Sequence, residues 1–175
     1  MVPGVAGARN VKWLESIKLQ HGPADSPWHN YYYKDGKAAH IQSLPLQSII
    51  LGASQDRQRG GIVMSGVAYG GGSGNAISRV EVSVDGGTTW IDTKLLTQEA
   101  DQSEKSMKSG GTRRNFGWVR WELELESSLV MNRGTHVTLC CRATDTEGIT
   151  QPEVSTKHRG YLYNGWSKLD LKLAQ

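Results

Sequence analysis

The sequence predicts an all-β sandwich preceded by an N-terminal extension, and three observations lead there. The 175 residues include 21 glycines, and the aromatic complement of six Trp, six Tyr and one Phe stands in a modest apolar content of 37%. That is the composition of many tight turns around aromatic-anchored strands. From Ile62 onward, short segments alternate apolar and polar residues with a period of two, as strands do when one face meets a core and the other does not. No internal repeat or sustained helical periodicity is present. The length supports one well-buried core with room for an arm.

Taken in order, residues 1–42 form the expected arm, with apolar Val11, Trp13, Ile17 and Leu19 and an aromatic cluster at Trp28 and Tyr31 to Tyr33. Such an arm needs another surface to pack on. Leu44-Pro-Leu-Gln opens the sandwich domain, placed at residues 43–175. The run Gly70-Gly-Gly-Ser-Gly74 is glycine-rich enough for a phosphate loop, but it joins two strands instead of opening a helix, so a hairpin or corner is expected. Next, Arg79-Val-Glu-Val-Ser-Val84 sends Val80, Val82 and Val84 one way and Arg79, Glu81 and Ser83 the other. Asp85-Gly86-Gly87 supplies a hairpin turn, and Thr88-Thr-Trp90 should begin the return strand. The polar stretch from Thr97 to Asn115 has nothing to bury and is expected to be a long mobile loop. Alternation resumes with Val119, Trp121, Leu123 and Leu125, then Val137, Leu139 and Cys141, and finally Leu169, Leu171 and Leu173. About seven short strands with frequent turns indicate an immunoglobulin-like sandwich.

The formal charge of +3 is dispersed, which argues against a nucleic-acid footprint. No apolar stretch approaches the roughly 20 residues of a membrane-spanning helix. Met1 runs straight into Val-Pro-Gly-Val, so no signal or transit leader is expected. Cys140 and Cys141 are adjacent, which in a strand sends their side chains to opposite faces and predicts two reduced thiols. Standard catalytic spacings are missing, and the histidines at 21, 29, 40, 136 and 158 are scattered, so spacing alone predicts no enzyme. Asp92, Asp145 and Glu147 occupy turn or edge positions and receive no chemistry. Arg9 and Lys12 beside a small-residue turn suit a phosphate or pyrophosphate, though two solvated charges would look the same. Arg159, in a glycine turn before the last strand, is open to the same pair of readings: a surface charge, or a planar fork for an oxyanion such as sulfite or sulfate.

Three segments, taken together, resolve those alternatives. They are Val2-Pro-Gly-Val-Ala-Gly-Ala-Arg-Asn-Val-Lys-Trp-Leu14, the stretch from Gly66 through Asp85-Gly-Gly-Thr-Thr-Trp90, and Gln151-Pro152 followed by Arg159-Gly160, Asn164 and Trp166, with Leu44-Pro-Leu-Gln-Ser48 between the first two. In this order they resemble the C-terminal half of the sulfite oxidase and eukaryotic nitrate reductase family across essentially the whole chain. The resemblance implies a homodimer-forming sandwich that follows a domain holding a molybdenum-molybdopterin cofactor through a cysteine thiolate. Residues 1–42 would be the tail end of that domain. Neither Cys140 nor Cys141 would be the metal's ligand.

The resemblance further implies that Arg9, Asn10, Val11 and Lys12 lie against the pterin or its phosphate, and that Arg159 reaches the substrate-anion pocket. The full-length protein would then be an oxidoreductase that oxidises sulfite to sulfate and passes electrons to an acceptor. The isolated chain is expected to be inactive and to carry no bound cofactor. Animal sulfite oxidases place a tyrosine near the position of Asp25, so nitrate remains the alternative substrate, and a stand-alone interaction module is the alternative of a different class. His158 replaces a residue usually uncharged in relatives, and the loop from Thr97 is longer than usual. The compartment implied is the mitochondrial intermembrane space or the peroxisome.

Overall fold

A computed structural model describes residues 1–35, 39–56, 58, 60–96, 114–130, 135–155 and 162–173. Among them the chain forms eight strands: β1 (Gln47–Gln55), β2 (Ile62–Tyr69), β3 (Ile77–Ser83), β4 (Ile91–Asp92), β5 (Lys94–Leu96), β6 (Val119–Leu125), β7 (His136–Asp145) and β8 (Ser167–Lys172). They pair antiparallel into two four-stranded sheets, β1-β2-β6-β5 and β4-β3-β7-β8. The two layers make an immunoglobulin-like sandwich. None of the described helices is long and apolar enough to cross a membrane.

The alternating residues meet between the sheets. Ile62, Met64, Ala68, Trp121 and Leu125 come from the first layer, and Val80, Val82, Val137, Leu139, Cys141 and Ala143 from the second, with Val84, Val130 and Leu173 closing the ends. Val119, Leu123, Leu169 and Leu171 pack against this core while half-buried. The inward assignments made from periodicity therefore hold. β1 was not legible in the same way, because its buried positions alternate as Ser48 and Ile50, and a hydroxyl stands where an apolar residue would signal a strand. Ser48 tolerates burial because its Oγ donates to Gln151 Oε1 at 2.6 Å. The register also slips between Ile50 and Gly52, a bulge that breaks the period.

Outside the core, the second sheet differs from the expected solvated face. Glu81 and Ser83 point away from the core yet are buried, and so is Cys140, which is opposite Ser83 in β7. The Glu81 carboxylate accepts from Arg142 Nε at 2.9 Å and from Arg79 Nη2 at 3.0 Å, while the Arg142 guanidinium lies over the Trp90 ring, 3.9 Å from its centroid. Trp90 meets Trp166 edge to face at 4.7 Å. Ser83 Oγ accepts the backbone N–H of Gly87, folding the turn over this end of the sheet. Gly86 and Gly87 have the expected positive φ angles, 72° and 95°. The return strand begins at Ile91 and not at Thr88, because the Asp85 carboxylate takes the backbone N–H and the hydroxyl of Thr89 and prolongs the turn.

The glycine run is a corner that carries the chain from β2 in one sheet to β3 in the other. It is tightly crossed. A Cβ on Gly72 would lie 2.0 Å from Ser43 Cβ, and one on Gly74 2.9 Å from the Phe116 ring. At the same place Gly4, at φ 78°, sits so close that its own Cβ would be 2.4 Å from Phe116. The corner is thus where the arm joins the sandwich. Ala6, whose N–H donates to Gln42 O at 2.9 Å, is the buried hydrophobic residue among the described residues of the arm.

Candidate functional site

The arm contains a single turn of π-helix, Trp28–Tyr32, and a short 3₁₀ turn, Gly7–Arg9. Arg9 joins them. Its Nε donates to Ile41 O at 2.7 Å, its Nη2 to Tyr33 O at 3.1 Å, and its Nη1 lies 3.0 Å from His29 Nδ1. The guanidinium also lies 5.3 Å from the centroid of the Tyr33 ring. All these partners are neutral, so the positive charge is fixed in place without being cancelled, and the geometry leaves guanidinium protons for a further acceptor. His29 stacks on His40 at 3.8 Å. Burial, then the neighbouring His40, Arg9 and Lys34, push the His29 pKa down.

Asn10 folds back on the arm. Its Oδ1 accepts the Val2 N–H at 2.7 Å and its Nδ2 donates to Ala6 O at 3.4 Å. Val11 and Lys12 are exposed, and Trp13 follows in a left-handed conformation at φ 59°, a strained choice for an aromatic residue. The sequence-predicted corner therefore divides: Arg9 and Asn10 build it, while Val11 and Lys12 are presented outward. His29, Tyr33 and Ile41, the partners of Arg9, carry no spacing signal, since they lie 20 or more positions away and two accept its hydrogen bonds through backbone carbonyls.

Arg159 and His158 lie outside the described residues, as does the stretch 97–113 of the expected loop. The feet of the segment bearing Arg159 are well defined. Gln151 is buried at 3% exposure and acts as a hub: its Oε1 accepts from Ser48 Oγ and from the Ala143 N–H, and its Nε2 donates to Gly165 O at 3.0 Å. Trp166 Nε1 donates to Gln151 O, and Asn164 meets Ser155 Oγ. The Gln151-Pro152, Asn164 and Trp166 pattern seen in the sequence is thus a tie between residues 151–155 and residues 162–166. Beside it runs a groove of about 560 Å³ lined in part by Leu44, Ile49, Leu162 and Tyr163.

The two cysteines do face opposite sides of β7 and are both free and buried. Burial pushes the Cys141 thiol up to about 11 and raises that of Cys140, which disfavours the thiolate that a metal requires. No grouping of His, Cys, Asp and Glu suited to a metal ion occurs among the described residues. By its chemistry, a fixed guanidinium with neutral partners beside an exposed Lys12 suits a phosphate, while buried thiols do not suit a metal.

The family model for the Mo-co oxidoreductase dimerisation domain matches residues 38–174. The mitochondrial sulfite oxidase of Rattus norvegicus is 30% identical over 190 residues, covering 99% of this chain and 32% of that protein. The Drosophila melanogaster mitochondrial sulfite oxidase is 32% identical over 195 residues, with the same coverage of each. Nitrate reductase [NADH] 1 of Oryza sativa subsp. japonica is 29% identical over 205 residues, covering 100% of this chain and 21% of its own length. Among solved structures, the sulfane dehydrogenase SoxCD of Paracoccus pantotrophus superposes with a TM-score of 0.70 at 23% identity, over 98% of this chain and 43% of the other; at that identity it speaks for the fold. The chain spans about a third of the length of the sulfite oxidases it matches.

Proposed function

The chain belongs to the Mo-co oxidoreductase dimerisation domain family, and from that premise we propose that it is the dimer-forming part of a sulfite-oxidising molybdenum-cofactor enzyme. Residues 1–42 are the tail of the preceding cofactor domain and residues 43–175 the sandwich. The observation that carries the reading is the Arg9 corner, where a guanidinium is locked by three neutral acceptors next to an outward-facing Lys12. A cation held without a carboxylate partner keeps its attraction for an incoming anion.

In this reading Arg9, Asn10, Val11 and Lys12 hold the phosphate side of the pterin, Arg9 by charge and Asn10 and Val11 through backbone groups. The bound group supplies oxygen-atom transfer to sulfite and takes up the two electrons. Arg159 holds the substrate anion beside it, between the described residues 151–155 and 162–166 that Gln151 and Trp166 tie together. In this reading the protein works as a homodimer, as its membership of a dimerisation-domain family suggests, with one self-complementary patch on each copy. The sulfite oxidases it resembles are named mitochondrial, which favours that compartment.

The test is made in the full-length parent, assayed with sulfite and nitrate as competing substrates. Sulfite turnover above background, with Arg159→Gln raising KM for sulfite and Lys12→Ala lowering bound molybdenum, is the expected result. Turnover of nitrate with sulfite at background would replace the proposal by the nitrate reading. That reading has one point in its favour: the resemblance puts Asp25, whose carboxylate accepts from Asn30 Nδ2 at 2.9 Å, near the position at which animal sulfite oxidases have a tyrosine.

A further inference from the structure

We propose that His29 is the positioning residue of the Arg9–Lys12 corner, and that it serves only as the neutral imidazole. A guanidinium has donors and no acceptor. With Arg9 Nη1 at 3.0 Å, His29 Nδ1 must therefore be the unprotonated nitrogen, and the ring's single proton sits on Nε2. That atom is enclosed and without a partner, so the contact to Arg9 is what selects the tautomer. A second proton, on Nδ1, would set donor against donor and break the contact.

The charges facing the ring reinforce this. His40 stacks on it at 3.8 Å, and Arg9 and Lys34 add positive charge from the 3₁₀ turn and from the end of the π-turn. None of the arm's carboxylates, Glu15, Asp25 and Asp35, is among the charges that act on His29; Asp25 Oδ1 accepts from Asn30 Nδ2, and Asp35 Oδ1 accepts the Ala39 N–H. Releasing Arg9 would also free Ile41 O and remove one of the two bonds to Tyr33 O, whose other donor is the Ile41 N–H. The neighbouring Gln42 O holds Ala6, three residues before Arg9. His29 protonation would thus untie the turn from the segment that anchors residues 9–12. The consequence for a bound cofactor rests on the function proposed above, whereas the latch is a property of this chain.

The experiment uses the 175-residue chain. Long-range ¹H–¹⁵N spectra of the imidazole should show His29 Nδ1 unprotonated at neutral pH. Hydrogen-exchange protection factors at the Tyr33 and Ile41 amides should fall between pH 7.5 and pH 5, by up to about thirtyfold if the closed latch excludes the proton and the open one binds it with the ordinary pKa of 6.5. His29→Gln keeps an acceptor for Arg9 and cannot titrate, so its protection factors should stay level. A protonated Nδ1, an equal fall in His29→Gln, or a dependence lost in His40→Gln but kept in His29→Gln would overturn the proposal. No cofactor enters these measurements. Failure of the cofactor assignment would be read separately, as unchanged molybdenum content in the full-length Lys12→Ala protein.

Discussion

Trp121 in β6 is 0% exposed and Trp13 in the arm is 92% exposed; Leu139 and Leu19 differ in the same way, at 0% and 93%. The same residue types thus hold one region together and leave the other unfinished. In the sandwich, apolar area removed from water contributes roughly 25 cal/mol per Å²; buried Ser48 is paired with Gln151 and Glu81 with two arginines, while the Trp121 indole N–H is enclosed without a partner. In the arm the cohesion comes from hydrogen bonds around Arg9 and from the crossing at Gly4. Val11, Trp13, Leu14, Ile17 and Leu19 remain exposed together with Trp28, Tyr31 and Tyr32. Such exposed apolar residues are a common mark of a contact surface; in the reading proposed above, the preceding domain would cover them.

That contrast can be broken at several points. The largest effect belongs to Trp121→Ala, which should cost about 3–5 kcal/mol in chemical denaturation of the chain; a loss below about 1 kcal/mol would mean that the core is not where the cohesion lies. Next comes alkaline pH. The Cys141 thiol is raised from 9.0 to about 11 in the folded chain, so the unfolded chain loses its proton first. Stability is then full below pH 9 and falls as pH rises through 11, by about 2–3 kcal/mol for this one group. In Cys141→Ala that alkaline decline should shrink, and an unchanged decline would assign it to other groups. Replacing the hub by Gln151→Ala leaves the buried Ala143 N–H without its acceptor and should cost about 1–3 kcal/mol, measured in the same denaturation series. The smallest effect is expected in the arm: Trp13→Ser and Leu19→Ser should shift the stability of the 175-residue chain by less than about 0.5 kcal/mol. In the full-length parent the same pair should lower thermal stability, since the proposed reading has that apolar surface covered there. Equal behaviour in both contexts would remove the idea that the arm docks on a neighbour.

Much of the fold was legible because a strand's side-chain period is a local property. Val80, Val82 and Val84, then Val137, Leu139 and Cys141, announce their faces within six residues, and the glycine turn at 85–87 announces its own φ angles. β1 escaped because its buried Ser48 is made tolerable by Gln151, 103 residues away. The covered outer face of β3 and β7 escaped for a similar reason, since Glu81, Arg142, Trp90 and Trp166 read separately as ordinary surface and turn residues. In the candidate site, Arg9 and Lys12 were legible as charges, and their meaning came from the resemblance and not from spacing.

The sequence by itself determined the sandwich class, the inward faces of most strands, the corner at Gly70–Gly74 and the location of the cationic corner. All of these follow from periodicity, turn chemistry and motif order along short stretches of chain. Only the tertiary structure decided what each polar residue is bonded to. Arg9 is held by His29, Tyr33 and Ile41, and Gln151 by Ser48, Ala143 and Gly165. A hydrogen bond is set by distance in space, and the folding that brings those atoms within about 3 Å leaves no trace in their separation along the chain.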